Sequence, residues 1–197
     1  MAEEGIKEGD RLPPFLIQDH EGYDVTDEDV LGTPLVISFF PSEDFHKNKE
    51  AILLFQKKIQ KFDELQTLIL AVSSDPVQVH QEFVKQHAPE FSLLSDVKKD
   101  MCRTFGVMKG DQVQRATFVV NARGVICWVE IPMKILGHVD RVIKAIKHYC
   151  RKDIVKFDDF GQEYKDFLKE SLEISETEKE MEKKIMKEFG IKESDLE

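Results

Sequence analysis

The chain has 197 residues, 41% of them hydrophobic and 34% charged, with a formal net charge of -10, enough for one domain with a full core and an appendage. The acidic balance argues against a nucleic-acid partner, whose phosphates demand a basic face, and no apolar run reaches the ~18 residues that cross a bilayer. The three cysteines, Cys102, Cys127 and Cys150, are odd in number and widely spaced, which suits a reducing, cytoplasmic setting better than a disulfide framework.

Met1-Ala-Glu-Glu-Gly-Ile-Lys-Glu is acidic and lacks an apolar h-region, so no secretory signal is expected. Residues 12–17 (Leu-Pro-Pro-Phe-Leu-Ile) read as an extended lead-in, because proline is excluded from a helix interior, and Asp19-His-Glu-Gly22 reads as a turn. Leu35–Phe40 is a short apolar run between Gly32-Thr-Pro34 and Pro41, the profile of a strand buried on both faces. From Lys49 to about Phe62, Ile52, Phe55, Ile59 and Phe62 recur at helical spacing with Lys57, Lys58 and Lys61 turned outward. Residues 67–73 form a second buried strand. Asp75 is placed as the N-cap and Pro76 as the first residue of a helix that ends near Pro89, with Val79 and Phe83 inward.

Ser95 or Asp96 caps a short helix, Val97 to Phe105, closed by Gly106. Ala116–Val120 and Val125–Ile131 make a hairpin over Asn121-Ala-Arg-Gly124. Gly137–Tyr149 is the closing helix, with Val139, Val142, Ile143 and Ile146 inward. The order implies an α/β sheet covered on both faces. No C-x-x-C or H-E-x-x-H spacing occurs among the cysteines and histidines, so no metal and no cofactor is expected.

Residues 151–197 differ from the rest, with 15 acidic and 10 basic residues. Phe160, Tyr164, Phe167 and Leu168 lie at helical spacing. Ser175 and Glu178 form a capping box ahead of Met181, Ile185 and Phe189, and Gly190 is a stop. The expected organisation is one domain over 1–150 and a charged amphipathic helical extension over 151–197. Helices with aromatic faces need a surface to bury against, which points to a protein partner or to self-association through the tail.

Several motifs in this order resemble one family. Pro34-Leu-Val-Ile-Ser-Phe-Phe-Pro-Ser-Glu-Asp-Phe-His-Lys-Asn-Lys-Glu-Ala51 is a strand, a turn and a helix start. Ser95-Asp-Val-Lys-Lys-Asp-Met-Cys-Arg-Thr-Phe-Gly-Val107, Arg115-Ala-Thr-Phe-Val-Val-Asn-Ala-Arg-Gly-Val-Ile126 and Gly137-His-Val139 follow. Together they resemble the peroxiredoxins (AhpC/TSA), closest to the bacterioferritin-comigratory or Q-type branch, over about Gly5 to Tyr149. The loop from Val107 to Arg115 is shorter than is usual in that branch. The resemblance implies a thioredoxin-like three-layer α/β fold and a redox antioxidant role.

It also implies a site. The family's loop presents a threonine and, three residues later, the cysteine that attacks peroxide; here Phe45 and Asn48 fall at those positions. A one-residue shift gives His46 and Lys49, or Asp44 and Lys47, so no register supplies sulfur. The branch's resolving cysteine would fall near Leu53 or Leu54 and is also missing. Pro41, Phe45, His46, Asn48 and Lys49 thus outline a vestigial peroxidatic loop, and Arg115 matches the family's strand arginine. It is read either as an anion-binding guanidinium or as a structural ion pair to Glu43, Asp44 or Glu50.

Three functions follow. The favoured one is a degenerate peroxiredoxin-like binding or regulatory module without thiol chemistry. The second is a thioredoxin-dependent hydroperoxide reductase working through Cys102 or Cys150. Cys102 is read as a buried structural thiol. Cys150, beside Arg151 and Lys152, is read as the exposed and more reactive of the two. The third is a structural or dimerisation subunit.

Overall fold

The computed structural model describes residues 5–41 and 49–150, all within one unit, Met1–Ile154. Phe45, His46 and Asn48 lie outside the described residues, as do the two helices expected in the tail.

Nine strands are described: β1 (Leu16–Asp19), β2 (Asp24–Thr26), β3 (Leu35–Phe40), β4 (Leu68–Ser73), β5 (Ser92–Ser95), β6 (Met108–Lys109), β7 (Gln112–Val113), β8 (Ala116–Val120) and β9 (Ile126–Glu130). The α-helices among the described residues are α1 (Lys49–Gln56), α2 (Ile59–Glu64), α3 (Val77–His87), α4 (Asp100–Thr104) and α5 (His138–Tyr149). Seven strands form one sheet in the order β2-β1-β5-β4-β3-β8-β9, while β6 and β7 pair separately. The central β3, β4 and β5 run parallel, and β8 runs antiparallel to β3. Every residue of β3 is buried, as expected of a strand covered on both faces.

Period-two alternation divides the core into two layers. Val36, Phe40 and Val119 face a cluster with Ile52 and Phe55 of α1, Phe62 of α2, Phe83 of α3 and Val142 and Ile146 of α5. Leu35, Ile37, Phe39, Phe118 and Val120 face the other cluster, with Met101, Cys102 and Phe105. There the rings of Phe39, Phe105 and Phe118 meet pairwise, centroids 5.0 to 5.8 Å apart and tilted or edge-on. Such geometry adds about 0.5–1.5 kcal/mol per pair beyond area burial. This is the three-layer, thioredoxin-like α/β arrangement.

Three local expectations are corrected. The helix from Lys49 breaks after Gln56 and restarts at Ile59, with Lys57 N–H closing onto Leu53 O and Lys58 N–H onto Phe55 O. Asp75 does not cap α3; Pro76 holds that position in extended geometry, and Asp75 instead accepts a hydrogen bond from Ser73 Oγ (2.7 Å). The helix expected from Val97 starts only at Asp100, after Lys99 in the left-handed region, while the Asp96 carboxylate, as expected, caps it by accepting the first-turn Cys102 N–H (2.7 Å). The lead-in is extended as expected, and its end pairs as β1 with β2 and docks on β5.

Gly106 does close α4, at φ +67°; a Cβ there would lie 2.4 Å from Gly5 Cα, so the close approach of the two backbones requires glycine. Asn121 fixes the β8–β9 hairpin by accepting Arg123 N–H and Val125 N–H on Oδ1 (both 3.0 Å).

Candidate functional site and its buried polar network

The site lies where β3 ends. Its last pairs are Phe40 with Ser73 of β4 and Phe39 with Ala116 of β8; one step further along this register, Arg115 falls opposite Phe40. Pro41 is half-buried just past the strand, Lys49 is exposed at the start of α1, and Arg115 is half-buried at the start of β8. Ligands of open α/β sheets gather beyond the carboxyl ends of the parallel strands, and these three residues stand at that end. The candidate ion-pair partners of Arg115 lie outside the described side chains.

Below this rim a chain of polar side chains runs between the sheet and α5. Ser38 and Thr117 are a directly opposed cross-strand pair, with hydroxyl oxygens 2.8 Å apart and both residues fully buried. Thr117 Oγ1 lies 3.0 Å from His138 Nε2. His138 Nδ1 lies 2.9 Å from Glu130 Oε2, and Arg141 donates to Glu130 Oε1 (2.7 Å).

Burial lowers the His138 pKa, outweighing the opposite pull of Glu130, so the ring is neutral at pH 7. Burial raises the Glu130 pKa, but hydrogen bonds from Arg141, Lys134 N–H and His138 prevail and hold it below the usual carboxylate range. The carboxylate can only accept. His138 therefore donates through Nδ1 and accepts at Nε2 from Thr117, and the Ser38 hydroxyl is left to donate to Thr117.

The same network fixes the segment that leads into α5. Arg141 donates to Leu136 O (2.7 Å) and Lys134 O (2.6 Å), and Glu130 accepts Lys134 N–H (3.2 Å). Met133 N–H donates to Arg115 O (2.8 Å). Its sulfur lies 3.5 Å from Thr117 Oγ1 and 4.0 Å from Ser38 Oγ. The Phe55 and Trp128 rings flank His138, centroids 5.8 and 6.4 Å away.

The thiols stand apart from this arrangement. Cys102 is buried in the layer across the sheet. Its pKa is raised by burial first and then by Asp96, against the weaker opposing charges of Lys99 and Arg103. Cys150 is fully buried. This corrects the expectation of an exposed, activated thiol: Cys150 N–H closes α5 onto Ile146 O, and the sulfur turns inward, 4.0 Å from Val120 O. Cys127 is half-buried, its sulfur 3.3 Å from Val125 O. Among the described residues no three His, Cys, Asp or Glu side chains gather to hold a metal, and no helix is long and apolar enough to cross a membrane.

Sequence reasoning singled out Arg115 and Gly137-His138 but missed Ser38, Glu130, Met133 and Arg141 as members of one site. Ser38 alone carried a local signal, a hydroxyl inside an otherwise apolar strand.

The fold is the thioredoxin-like α/β fold of the peroxiredoxins, with Pro41, Lys49 and Arg115 at the carboxyl end of its central strand. The AhpC/TSA family profile matches residues 9–129, and the chain belongs to that family. It is 28% identical over 146 residues to the putative peroxiredoxin bcp of Coxiella burnetii, covering 70% of this chain and 97% of that protein. With the peroxiredoxin Bcp of Xanthomonas campestris the identity is 32% over 126 residues, covering 60% of this chain and 79% of the relative. The solved structure of the Xanthomonas campestris bacterioferritin comigratory protein, described for its alkyl peroxide reduction activity, superposes with a TM-score of 0.65 at 29% identity, over 68% of this chain and 91% of that one. Xylella fastidiosa PrxQ shares the fold, with a TM-score of 0.69 at 23% identity over 74% and 98% of the two chains.

Proposed function

We propose that this chain is a degenerate member of its family, a non-catalytic binding or regulatory module related to peroxide defence that works in the cytoplasm. One observation carries the reading: residues 34–51 contain no cysteine, and of the three thiols elsewhere two are fully buried. A peroxidatic thiol must be accessible and must ionise near neutral pH. Cys102 meets neither demand, since it is buried and its pKa is raised, and Cys150 fails the first. Alkyl peroxide reduction, as described for the Xanthomonas campestris relative, is therefore assigned to the ancestral scaffold and not to this chain. Arg115 and the strand end supply an anion-binding rim, and the tail over 151–197 supplies the partner-facing element.

The test is peroxide consumption with thioredoxin as reductant. Wild-type protein is expected to be inert, and Asn48→Cys or Lys49→Cys to regain part of the activity, because Phe45 still lacks the hydroxyl that orients peroxide. Sustained wild-type turnover would refute the reading.

A further inference from the structure

A cavity of about 540 Å³ opens between β1 and α4, within the range of about 300–1,000 Å³ that ligand sites occupy. None of Pro41, Lys49 and Arg115 lines it. Its cause is a strand that stops early. Phe15 N–H donates to Asp27 Oδ1 (3.1 Å) and Asp19 N–H to Tyr23 O (2.9 Å), so the odd-numbered residues of this stretch turn their main chain toward β2. By alternation Leu16 and Gln18 turn theirs the other way, toward β5. Gln18 meets Ser95, the last residue of β5. The chain then leaves β1, and Asp96 N–H donates to Ser73 O of β4 (2.7 Å). Leu16, which lines the cavity, therefore presents its N–H and C=O to the space where β5 would have continued.

We propose that this slot binds an extended peptide segment of alternating apolar and basic residues, taken up as a short strand beside β1. The two faces of such a strand would meet different walls. On one side Ile17 shares a buried layer with Met101 and Phe105, both of them at the cavity wall. On the other, Gln18 and Asp24 are a directly opposed pair and lie on the sheet face away from Ile17. Asp24, Asp96 and Asp100 line the cavity against a single lysine, Lys98, and Asp100 is already engaged by Arg103 (2.7 Å). Among the described residues neither Asp24 nor Asp96 has an ion-pair partner. This acidic excess, on a chain of net charge -10, selects a basic segment over an acidic one. Leu16 and Val97, 70% and 58% exposed, give the slot an apolar rim. Main-chain bonds to a free strand edge supply affinity and alternate side chains supply specificity. The slot ends at Pro14, which has no N–H to offer, so the paired stretch is short and the side chains must fix its register. The inference rests on the preceding reading of the chain as a binding module and gives that module its ligand class.

The isotope-labelled full-length protein is titrated with the acetylated, amidated peptide Val-Lys-Val-Lys-Val and followed by NMR. Saturable shifts are expected at the amides of Leu16, Gln18 and Val97, with a Kd below about 1 mM. Two control peptides need no change to the protein: one methylated at its main-chain nitrogens, the other with both lysines replaced by glutamate. Each is expected to bind about tenfold more weakly or worse. Asp24→Asn, at an exposed position, is expected to weaken the lysine peptide several-fold. Shifts that do not saturate, or equal affinity for either control peptide, would overturn the proposal. Butylamine binding at the same amides as tightly as the peptide would overturn it in favour of a small-cation site. Peroxide turnover with thioredoxin strikes at the preceding reading and this titration at the slot, so the two failures are distinguishable.

Discussion

His80 offers the sharpest quantitative test of the structure. It lies on α3, fully buried, between two serines that face each other at the ends of β4 and β5. Its Nε2 is 2.8 Å from Ser73 Oγ and its Nδ1 is 3.0 Å from Ser95 Oγ. Ser73 spends its proton on the Asp75 carboxylate, so Nε2 must donate and Nδ1 must accept from Ser95. This arrangement uses a neutral ring. Burial first, and His20 second, lower the pKa from 6.5 to about 4.

In the unfolded chain the same ring titrates near 6.5. Between those values the unfolded state binds more protons, so stability falls as the pH drops through the window from 6.5 to 4. Lowering the ring's pKa from 6.5 to about 4 corresponds to roughly 3 kcal/mol of stability. Urea unfolding of wild type and His80→Asn, measured from pH 7.5 to 4, isolates this term, because carboxylates shared by both proteins cancel in the difference. The wild type is expected to lose roughly 3 kcal/mol relative to the variant on acidification. Parallel pH dependences would show that His80 is not held neutral as described.

Two further outcomes are expected. In the folded protein a small maleimide should label Cys127 alone, with Cys102 and Cys150 reacting only on unfolding; rapid labelling of Cys150 would contradict its burial. Glu130→Gln should destabilise the fold by about 1–3 kcal/mol, the scale for disturbing charge-assisted buried hydrogen bonds. It should also move the His138 titration, followed by NMR, to still lower pH, because the raising influence of the carboxylate is removed; an unmoved His138 would break the proposed chain from Arg141 to Thr117.

Elements were legible in the sequence where local composition and tertiary demand agree. Leu35–Phe40 and Ala116–Val120 are apolar runs bounded by proline, arginine or asparagine, and both became central strands with the expected limits. The closing helix showed its stripe of Val139, Val142, Ile143 and Ile146, all of them buried. What stayed hidden depends on partners distant in sequence. Ser92–Ser95 is too short to announce itself and becomes β5 only because β4 and β1 pair with its two edges. Asp75 reads as a helix cap from sequence alone, yet its carboxylate accepts Ser73 Oγ instead; Asp96 does accept a first-turn N–H of α4, that of Cys102, although the helix starts later than its sequence suggests. The family motif located the pocket through Arg115, but the network under it joins residues 38, 117, 130, 138 and 141, a set that no local pattern connects.

That separation also shows what holds the strand end together. The atoms that hold the strand end together are the hydroxyl pair on β3 and β8, the neutral ring at the start of α5, and the carboxylate that binds both this ring and Arg141. Each satisfies the next, and none needs a thiolate to complete its hydrogen bonds. Removing Glu130 would strand His138 and Arg141 in or near the core, at a cost of a few kcal/mol. The network is thus closed by its own hydrogen bonds, and the architecture of the strand end depends on Glu130, His138 and the Ser38–Thr117 pair and on none of the three thiols.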